Sequence, residues 1–338
     1  MAENITLALD AMSGDLGAKV VVEAASKVLK KDKALSVILV GNQNQLGALL
    51  LSLPSSLRDR VALAHADSVV SMSDKPAVVL RRKQDSSMSV ALKLVRDRAA
   101  HGCVSAGNTG ALMVLSRSIV RMLPGIERPA ICKYIDASHH PFLFLDLGAN
   151  LVCSGEQLYQ YGVMGGLMAK LAMDVCEPRI ALLNVGSEDI KGPEQVKLAA
   201  TMLSDNKDLS YVGYVEGHEL FFGKADVVVC DGFVGNIALK TAEGVLQLVR
   251  YKVDDFLHQH RFLKFLAYVL KPWVQPMLSR LNPESLNGAS LLGLNGVVVK
   301  SHGAAGVFAF RKAIEQAALE VRAGVPQKIN EHLDQWLI

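Results

Sequence analysis

No stretch of the sequence approaches the ~20 consecutive apolar residues that a membrane-spanning helix needs. The amino-terminal segment carries Asp10 and Asp15 where a signal peptide would have a basic region and a long apolar core. Neither export nor membrane insertion is expected, which places the chain in the cytoplasm, with surface contact to the inner face of the membrane left open. Cysteine is sparse: Cys103, Cys132, Cys153, Cys176 and Cys230 lie far apart and form no C-x-x-C pair. That spacing argues against a zinc knuckle or redox dithiol and reads as small buried hydrophobes in a reducing compartment. An excess of either charge is missing too. Lys and Arg number 36 against 33 acidic residues, a net charge of +3, so nothing in the balance suggests nucleic acid as a partner.

The usual nucleotide and hydrolase signatures are also absent. No G-x-G-x-x-G follows the first strand pattern and no G-x-x-x-x-G-K-[ST] occurs, which removes the sequence support for dinucleotide binding and P-loop phosphate transfer. Ser105 has Gly107 after it but Cys103 before it, so the G-x-S-x-G elbow is not there. His139 and His140 precede Pro141 without matching acidic ligands, and no metal or other cofactor is expected.

What is present is an alternation of strands and helices over nearly all of the 338 residues, half of them apolar, enough to fill a large core. Strands are expected at Ile5–Asp10, Val37–Val40, Val61–Ala64, from Cys103, and at Ala130–Ile135, Phe142–Leu147, Arg179–Val185, Tyr211–Val215, Val227–Val229 and Val297–Lys300. Between them, apolar residues recur at helical spacing. Val21, Ala24, Val28 and Leu29 mark one helix; Met88, Leu92, Val95 and Ala99 mark a second over 86–100; Leu112, Leu115, Ile119 and Met122 mark a third. The pattern predicts an α/β fold over residues 1–338, a mainly parallel sheet with helices on both faces.

Chemistry is expected at the polar turns that follow the strands. Open α/β sheets bind ligands there, because free N–H groups and helix dipoles favour anions. The clearest turn is VVVCDGFVGNIALKTAEG, residues 227–244. A β-branched strand runs into Asp231 and Gly232, Gly235 lets the backbone approach closely, and Asn236 adds a side-chain amide near the start of a helix carrying Leu239, Ala242, Leu246 and Val249. Companion turns are Gly107–Gly110 with Asn108 and Thr109, Gly148–Asn150, Gly186–Gly192 with Lys191, and Ser301–Gly303 with His302. In a parallel sheet such turns can converge on one rim. They offer amides, hydroxyls and one flexible cation, with no nucleophile paired to a base, an inventory that suits holding an anion and stabilising charge on a reacting carbonyl.

These residues resemble the bacterial phosphate acyltransferases of phospholipid synthesis. The likeness rests on LALDAMSGDLGA at 7–18, SAGNTGALM at 105–113, ERPAI at 127–131, DLGAN at 146–150, NVGSEDIKG at 184–192, YVGYVEG at 211–217 and the 227–244 stretch, in order over the full length. The resemblance implies an isopropylmalate-dehydrogenase-like fold and a homodimer that uses neither metal nor nucleotide. It also implies transfer of a long-chain acyl group from acyl-acyl carrier protein to inorganic phosphate. The family's catalytic pair falls on Lys191 and Asn236, with Asp10, Asn108, Thr109, Asp231, Gly232, Gly235 and His302 as substrate-binding candidates. Where relatives often read H-G-S-S, this chain has His302-Gly303-Ala304-Ala305. A phosphate acetyltransferase-like enzyme using acyl-coenzyme A and a non-catalytic membrane scaffold are the competing readings.

One interruption stands apart. Between Phe256 and Pro283 there is no acidic residue, while Arg261, Lys264, Lys271 and Arg280 alternate with aromatic and aliphatic side chains, and Pro272 and Pro276 break the helix. Residues 250–284 are expected to form a protruding helical excursion that meets anionic lipid, an acidic carrier or a second subunit. Relatives act near the membrane and feed a glycerol-3-phosphate acyltransferase, so that enzyme is the expected downstream partner.

Overall fold

The computed structural model describes residues 4–136, 140–259 and 287–336. The first part of the chain forms β1 (Ile5–Asp10), α1 (Gly17–Lys31), β2 (Leu35–Gly41), α2 (Gln43–Leu51), α3 (Ser55–Arg58), β3 (Val61–His65), α4 (Pro76–Arg82), α5 (Ser87–Arg96), β4 (Gly102–Ser105) and α6 (Thr109–Ile119). It continues through β5 (Ala130–Ile135), β6 (Phe142–Leu145), α7 (Gly155–Ala172), β7 (Arg179–Leu183), α8 (Glu194–Asp205), β8 (Ser210–Val215), β9 (Val227–Val229) and α9 (Gly232–Gln259). It closes with β10 (Ala289–Leu292), β11 (Val297–Lys300), a helix α10 at Val307–Ala323 and a helix α11 at Val325–Trp336.

All the described strands join one 11-stranded sheet in the order β3-β2-β1-β4-β11-β10-β5-β6-β9-β7-β8. The two-residue period of each strand sorts its side chains between two faces. Leu7, Leu9, Val37, Leu39 and Val299 pack under α1 and α10, whereas Ala8, Val40, Cys103 and Val298 meet α5 and α6 on the other side. In the second half of the sheet, Leu143, Leu145, Ile180 and Val227 pack on α7, and Phe142, Phe144, Ala181 and Val228 lie on the face shared with α9. Each buried Val, Leu, Ile or Phe among these contributes about 2 kcal/mol by leaving water.

The sheet is parallel in both outer parts and antiparallel in the middle. β10 pairs antiparallel with both β11 and β5, and β5 pairs antiparallel with β6. As a result β6, β9, β7 and β8 run opposite to β1, β2, β3, β4 and β11. The polar turns therefore do not converge on one rim. They form two groups, one after β1, β4 and β11 and one after β6, β9 and β7. The antiparallel pair of β5 and β6 is the cause, since β10 opposes both of its neighbours and leaves β5 running with β11.

Two helices stop earlier than their apolar spacing predicts. α5 ends at Arg96 because Arg98 takes the left-handed conformation (φ 59°), which leaves Ala99 exposed. α6 ends at Ile119, with Arg121 left-handed (φ 70°), so that Met122 bridges to Leu294. Phe142–Leu147 and Arg179–Val185 end as strands at Leu145 and Leu183, where Asp146 and Asn184 turn the chain. α9 has 28 residues, about 42 Å at 1.5 Å per residue, and outruns the strands beneath it. Of its length only Gly232 and Gly235 are buried. Leu239, Ala242 and Leu246 are half-buried, Val249 is exposed, and Val245, Leu248, Tyr251, Val253 and Phe256 are exposed as well. Most of the expected 250–284 excursion, residues 260–284, lies outside the described residues. No described helix is long and apolar enough to cross a membrane.

Candidate active site

The second group of turns starts from adjacent strands in register, Leu145 beside Val229 beside Leu182. Its organiser is Asp146, fully buried at the end of β6. One carboxylate oxygen accepts the main-chain N–H groups of Ile131 (2.9 Å), Gly148 (3.2 Å) and Ala149 (3.0 Å), and the other accepts that of Asn150 (2.7 Å) and its side-chain amide (3.0 Å). Burial pushes the Asp146 pKa up, and these bonds oppose the rise. The Asn150 amide also reaches Pro129 O at 2.8 Å, and the Asn150 carbonyl accepts from Gly232 N at 2.8 Å. The 146–150 loop is thus tied to the start of α9.

At that junction Asp231 caps α9, its carboxylate accepting from Val234 N at 2.8 Å. A Cβ at Gly232 would stand 2.6 Å from Asn150 O, and one at Gly235 would stand 2.0 Å from Asp146 O. The backbone these glycines admit is therefore the protein's own, which sets the first turn of α9 directly on the 146–150 loop. Asn236 follows on the exposed side, with a Gly148 Cβ position 3.7 Å from its own Cβ. Its amide makes no hydrogen bond among the described residues.

The neighbouring turn after β7 is closed by Asn184, whose side-chain N–H groups donate to Gly186 O (3.1 Å) and Lys191 O (3.2 Å). Its Oδ1 is buried without a partner. Lys191 projects from this loop half-exposed, its Nζ 2.8 Å from the Glu188 carboxylate, which raises the lysine pKa and lowers that of Glu188. Adjacent strands thus present an uncommitted amide and a paired ammonium.

The first group of turns collects the other candidates. Asp10 is fully buried, accepting from Ser105 Oγ at 2.6 Å and more weakly from Ser13 N at 3.4 Å. Asn108 caps α6 through Ala111 N at 3.0 Å, while its amide nitrogen donates to Met72 O (2.8 Å) and Asp74 O (3.0 Å). Its polar atoms are spent on the fold. Thr109 is exposed at the first position of α6. His302 is exposed, its N–H donating to Asn287 Oδ1 at 2.9 Å and its Nδ1 accepting from Ala304 N at 3.2 Å. Desolvation, then the charges of Lys240 and Lys300, hold the His302 pKa below its ordinary value.

Sequence reasoning did not single out Lys300 or Lys133. Pairing puts Asp10, Ser105, Lys300, Ala289 and Lys133 in one row across the sheet. The alternation places that row on the face shared by α6 and α9. Lys300 is 8% exposed, its Nζ donating to Ser301 O and Ala106 O, and burial lowers its pKa to about 8 against the opposing pull of Asp15 and Asp10. A cavity of about 500 Å³ lies on the opposite face, between α7 and α10. Among the described residues no group of three or more His, Cys, Asp or Glu side chains is placed to hold a metal ion.

Against known proteins, residues 5–328 match the family described as fatty acid synthesis protein. A phosphate acyltransferase of Marinobacter nauticus is 51% identical over 334 residues, covering 99% of this chain and 97% of the relative. One from Moritella marina is 47% identical over 332 residues, covering 98% of each. Among solved structures, a phosphotransacetylase from Streptococcus pyogenes superposes with a TM-score of 0.63 at 18% identity over 94% of both chains. A branched-chain phosphotransacylase from Enterococcus faecalis gives 0.60 at 15% identity over 94% of this chain and 99% of its own. At those identities the likeness speaks for the fold, and it meets the expectation of an architecture shared with phosphate acetyltransferases. The sequence identity speaks for kinship: the chain belongs to the phosphate acyltransferase family, a family of acyltransferase enzymes.

Proposed function

We propose that the protein moves a long-chain fatty acyl group from acyl-acyl carrier protein to inorganic phosphate, releasing acyl phosphate for glycerophospholipid synthesis. The observation that carries this reading is the Asn236 amide, without a hydrogen bond among the described residues at the start of α9, after a strand that pairs with the one whose following loop bears Lys191. In the reaction a phosphate oxygen attacks the thioester carbonyl carbon, the C–S bond breaks, and the proton of hydrogen phosphate leaves with the sulfur as carrier thiol. Asn236 donates to the carbonyl oxygen as negative charge develops there, and Lys191 leaves Glu188 to orient the phosphate and offset its charge.

Direct transfer is supported by the state of the thiols. Burial pushes Cys103, Cys132 and Cys230 well above the ordinary thiol range and Cys153 to about 11, so none of these supplies a thiolate to carry the acyl group at neutral pH. The test is thiol release from a long-chain acyl-acyl carrier protein with and without phosphate, trapping acyl phosphate with hydroxylamine, and a parallel arm with acyl-coenzyme A. Phosphate-dependent release with a trapped product is expected, with the carrier-bound donor preferred; no release sinks the proposal. Lys191→Ala and Asn236→Ala should each fold and lose about a hundredfold or more in turnover. Wild-type rates in both would remove them from the mechanism.

The exposed apolar flank of α9, Val245 to Phe256, supports a contact surface on this helix. A second subunit, the membrane and a downstream glycerol-3-phosphate acyltransferase are the expected occupants. Solution mass and sedimentation with anionic vesicles test the first two; a monomer left wholly in the supernatant would exclude both.

A further inference from the structure

Beyond Asn236, the same stripe of α9 carries Lys240 and Glu243, four and seven residues on, a spacing that keeps all three on one side of the helix. This stripe faces the polar row on the sheet. Glu243 Oε1 lies 3.6 Å from Lys133 Nζ on β5, and Glu243 Oε2 lies 2.6 Å from Lys240 Nζ. Two ammonium groups thus share one carboxylate, which leaves the cluster net positive. Lys133 is the less satisfied of the two. Its side chain is 12% exposed, its carboxylate contact is longer than a hydrogen bond, and burial lowers its pKa against the pull of Glu243. From the first group of turns, His302 is near enough for Lys240, Lys300, Glu243 and Lys133 all to act on its ring.

A largely covered lysine whose carboxylate contact among the described residues is long, with a second lysine on the same carboxylate and a histidine within electrostatic reach, matches an oxyanion that neutralises the surplus charge and supplies further acceptors. We propose that Lys133, Lys240 and His302 form an anion subsite for a phosphate group, at the far end of the α9 stripe that begins with Asn236. Glu243 holds the two ammoniums in place when the subsite is empty. The separation fits the reaction. Lys240 is about 6 Å and Glu243 about 10 Å along the helix from Asn236, so a phosphate bound here does not occupy the position of the carbonyl oxygen. Two sources share this chemistry: the inorganic phosphate that attacks, and the phosphate on the pantetheine arm that presents the thioester. The assignment of these sources rests on the acyl-transfer reading above; the binding itself does not.

Calorimetric titration of the full chain separates the possibilities without relying on turnover. The probes are 4′-phosphopantetheine, pantetheine without its phosphate, and inorganic phosphate. In the wild type, 4′-phosphopantetheine should bind about tenfold tighter than pantetheine if the subsite takes the arm, the size of one charge-assisted contact. The double variant Lys133→Met, Lys240→Met should erase that difference. If the subsite instead takes the free co-substrate, the double variant should lose about tenfold in affinity for inorganic phosphate. Either loss supports the subsite and identifies its source; isotherms equal to wild type with all probes overturn it. Should the double variant not fold, Glu243→Gln decides, since it releases both ammoniums and should tighten phosphate or 4′-phosphopantetheine binding severalfold. Unchanged or weaker binding in Glu243→Gln would show that the cluster only pins α9 to the sheet. Failure of acyl phosphate formation alongside a positive titration would count against the proposed reaction and leave the subsite standing.

Discussion

A methyl group added at Gly235 probes how closely the chemistry depends on the seat of α9. The new Cβ would stand 2.0 Å from Asp146 O and 2.8 Å from Cys230 Sγ, where real Cβ contacts stay beyond 3.0 Å. About 1 Å of movement is therefore required, and neither neighbour can swing away: one is main chain, the other a buried thiol. The first turn of α9 must lift, carrying Asn236 off the Gly148 turn. Overpacking of this kind costs about 1–3 kcal/mol, offset by the ~1 kcal/mol that alanine gains over glycine inside a helix. The net loss in stability should be modest, about 0–2 kcal/mol. The kinetic loss should be larger, because misplacing a reacting group by 1 Å costs roughly a hundredfold. Gly244→Ala is the matched control. It lies further along α9 with nothing within 4 Å of an added Cβ, and should gain ~1 kcal/mol while turning over normally. Urea unfolding and hydroxylamine-trapped acyl phosphate, measured on both variants, separate the two effects. Gly235→Ala with wild-type turnover would refute the claim that Asn236 must be held on the 146–150 loop.

Asp146→Ala should lose about 3 kcal/mol or more, since it strands the buried main-chain donors of Ile131 and Asn150 along with those of the loop between. A loss under ~1 kcal/mol in urea unfolding would mean that the carboxylate is not the loop's organiser. Glu320 on α10 is fully buried, accepts from Ser290 and Gln316, and has its pKa raised by burial from 4.5 to about 7. The folded state therefore holds a proton that the unfolded chain has released, and stability falls as pH rises from ~4.5 to ~7, by about 3 kcal/mol. Glu320→Gln should flatten that part of the profile, and unfolding free energies compared below pH ~5 and above pH ~8 would show it. An unchanged slope in the variant would assign the pH dependence to other groups.

Most of the strands and helices were legible because they rest on local period. Leu7 and Leu9 against Ala8, or Val21 with Ala24 and Val28, announce their faces within a few residues. What escaped was the pairing. Ala289–Leu292 is a four-residue strand inserted antiparallel between β5 and β11, and because it opposes both, β5 keeps the sense of β11. The antiparallel pairing of β5 with β6, which neither strand's own period announces, reverses the sense of the second half of the sheet and divides the polar turns into two groups. Arg98 and Arg121 ended two helices through left-handed backbone that arginine gives no sign of adopting.

The candidate site follows the same division, and α9 explains how its parts still act together. Asn236 and Lys191 were readable from their turns, and Asn108 equally so, yet only the contacts show that Asn108 is consumed by the 72–74 loop, while the Asn236 amide makes no hydrogen bond among the described residues. Lys133 did leave a local trace. In AICKYI the two-residue period puts it on the same face as Ile131 and Ile135, a charge where an apolar side chain is due. So did Asn236, Lys240 and Glu243, a polar stripe at helical spacing on a helix otherwise chosen for its apolar residues. Neither trace has meaning alone, because a buried cation is explained only by what meets it. The strands before α9 end near one group of turns, and the helix runs back over the sheet at 1.5 Å per residue. Within two turns it brings Lys240 and Glu243 from the Asn236 side to Lys133 and His302. One helix therefore joins two groups of turns that the sheet itself keeps apart, and the electrostatics of His302 already register the junction.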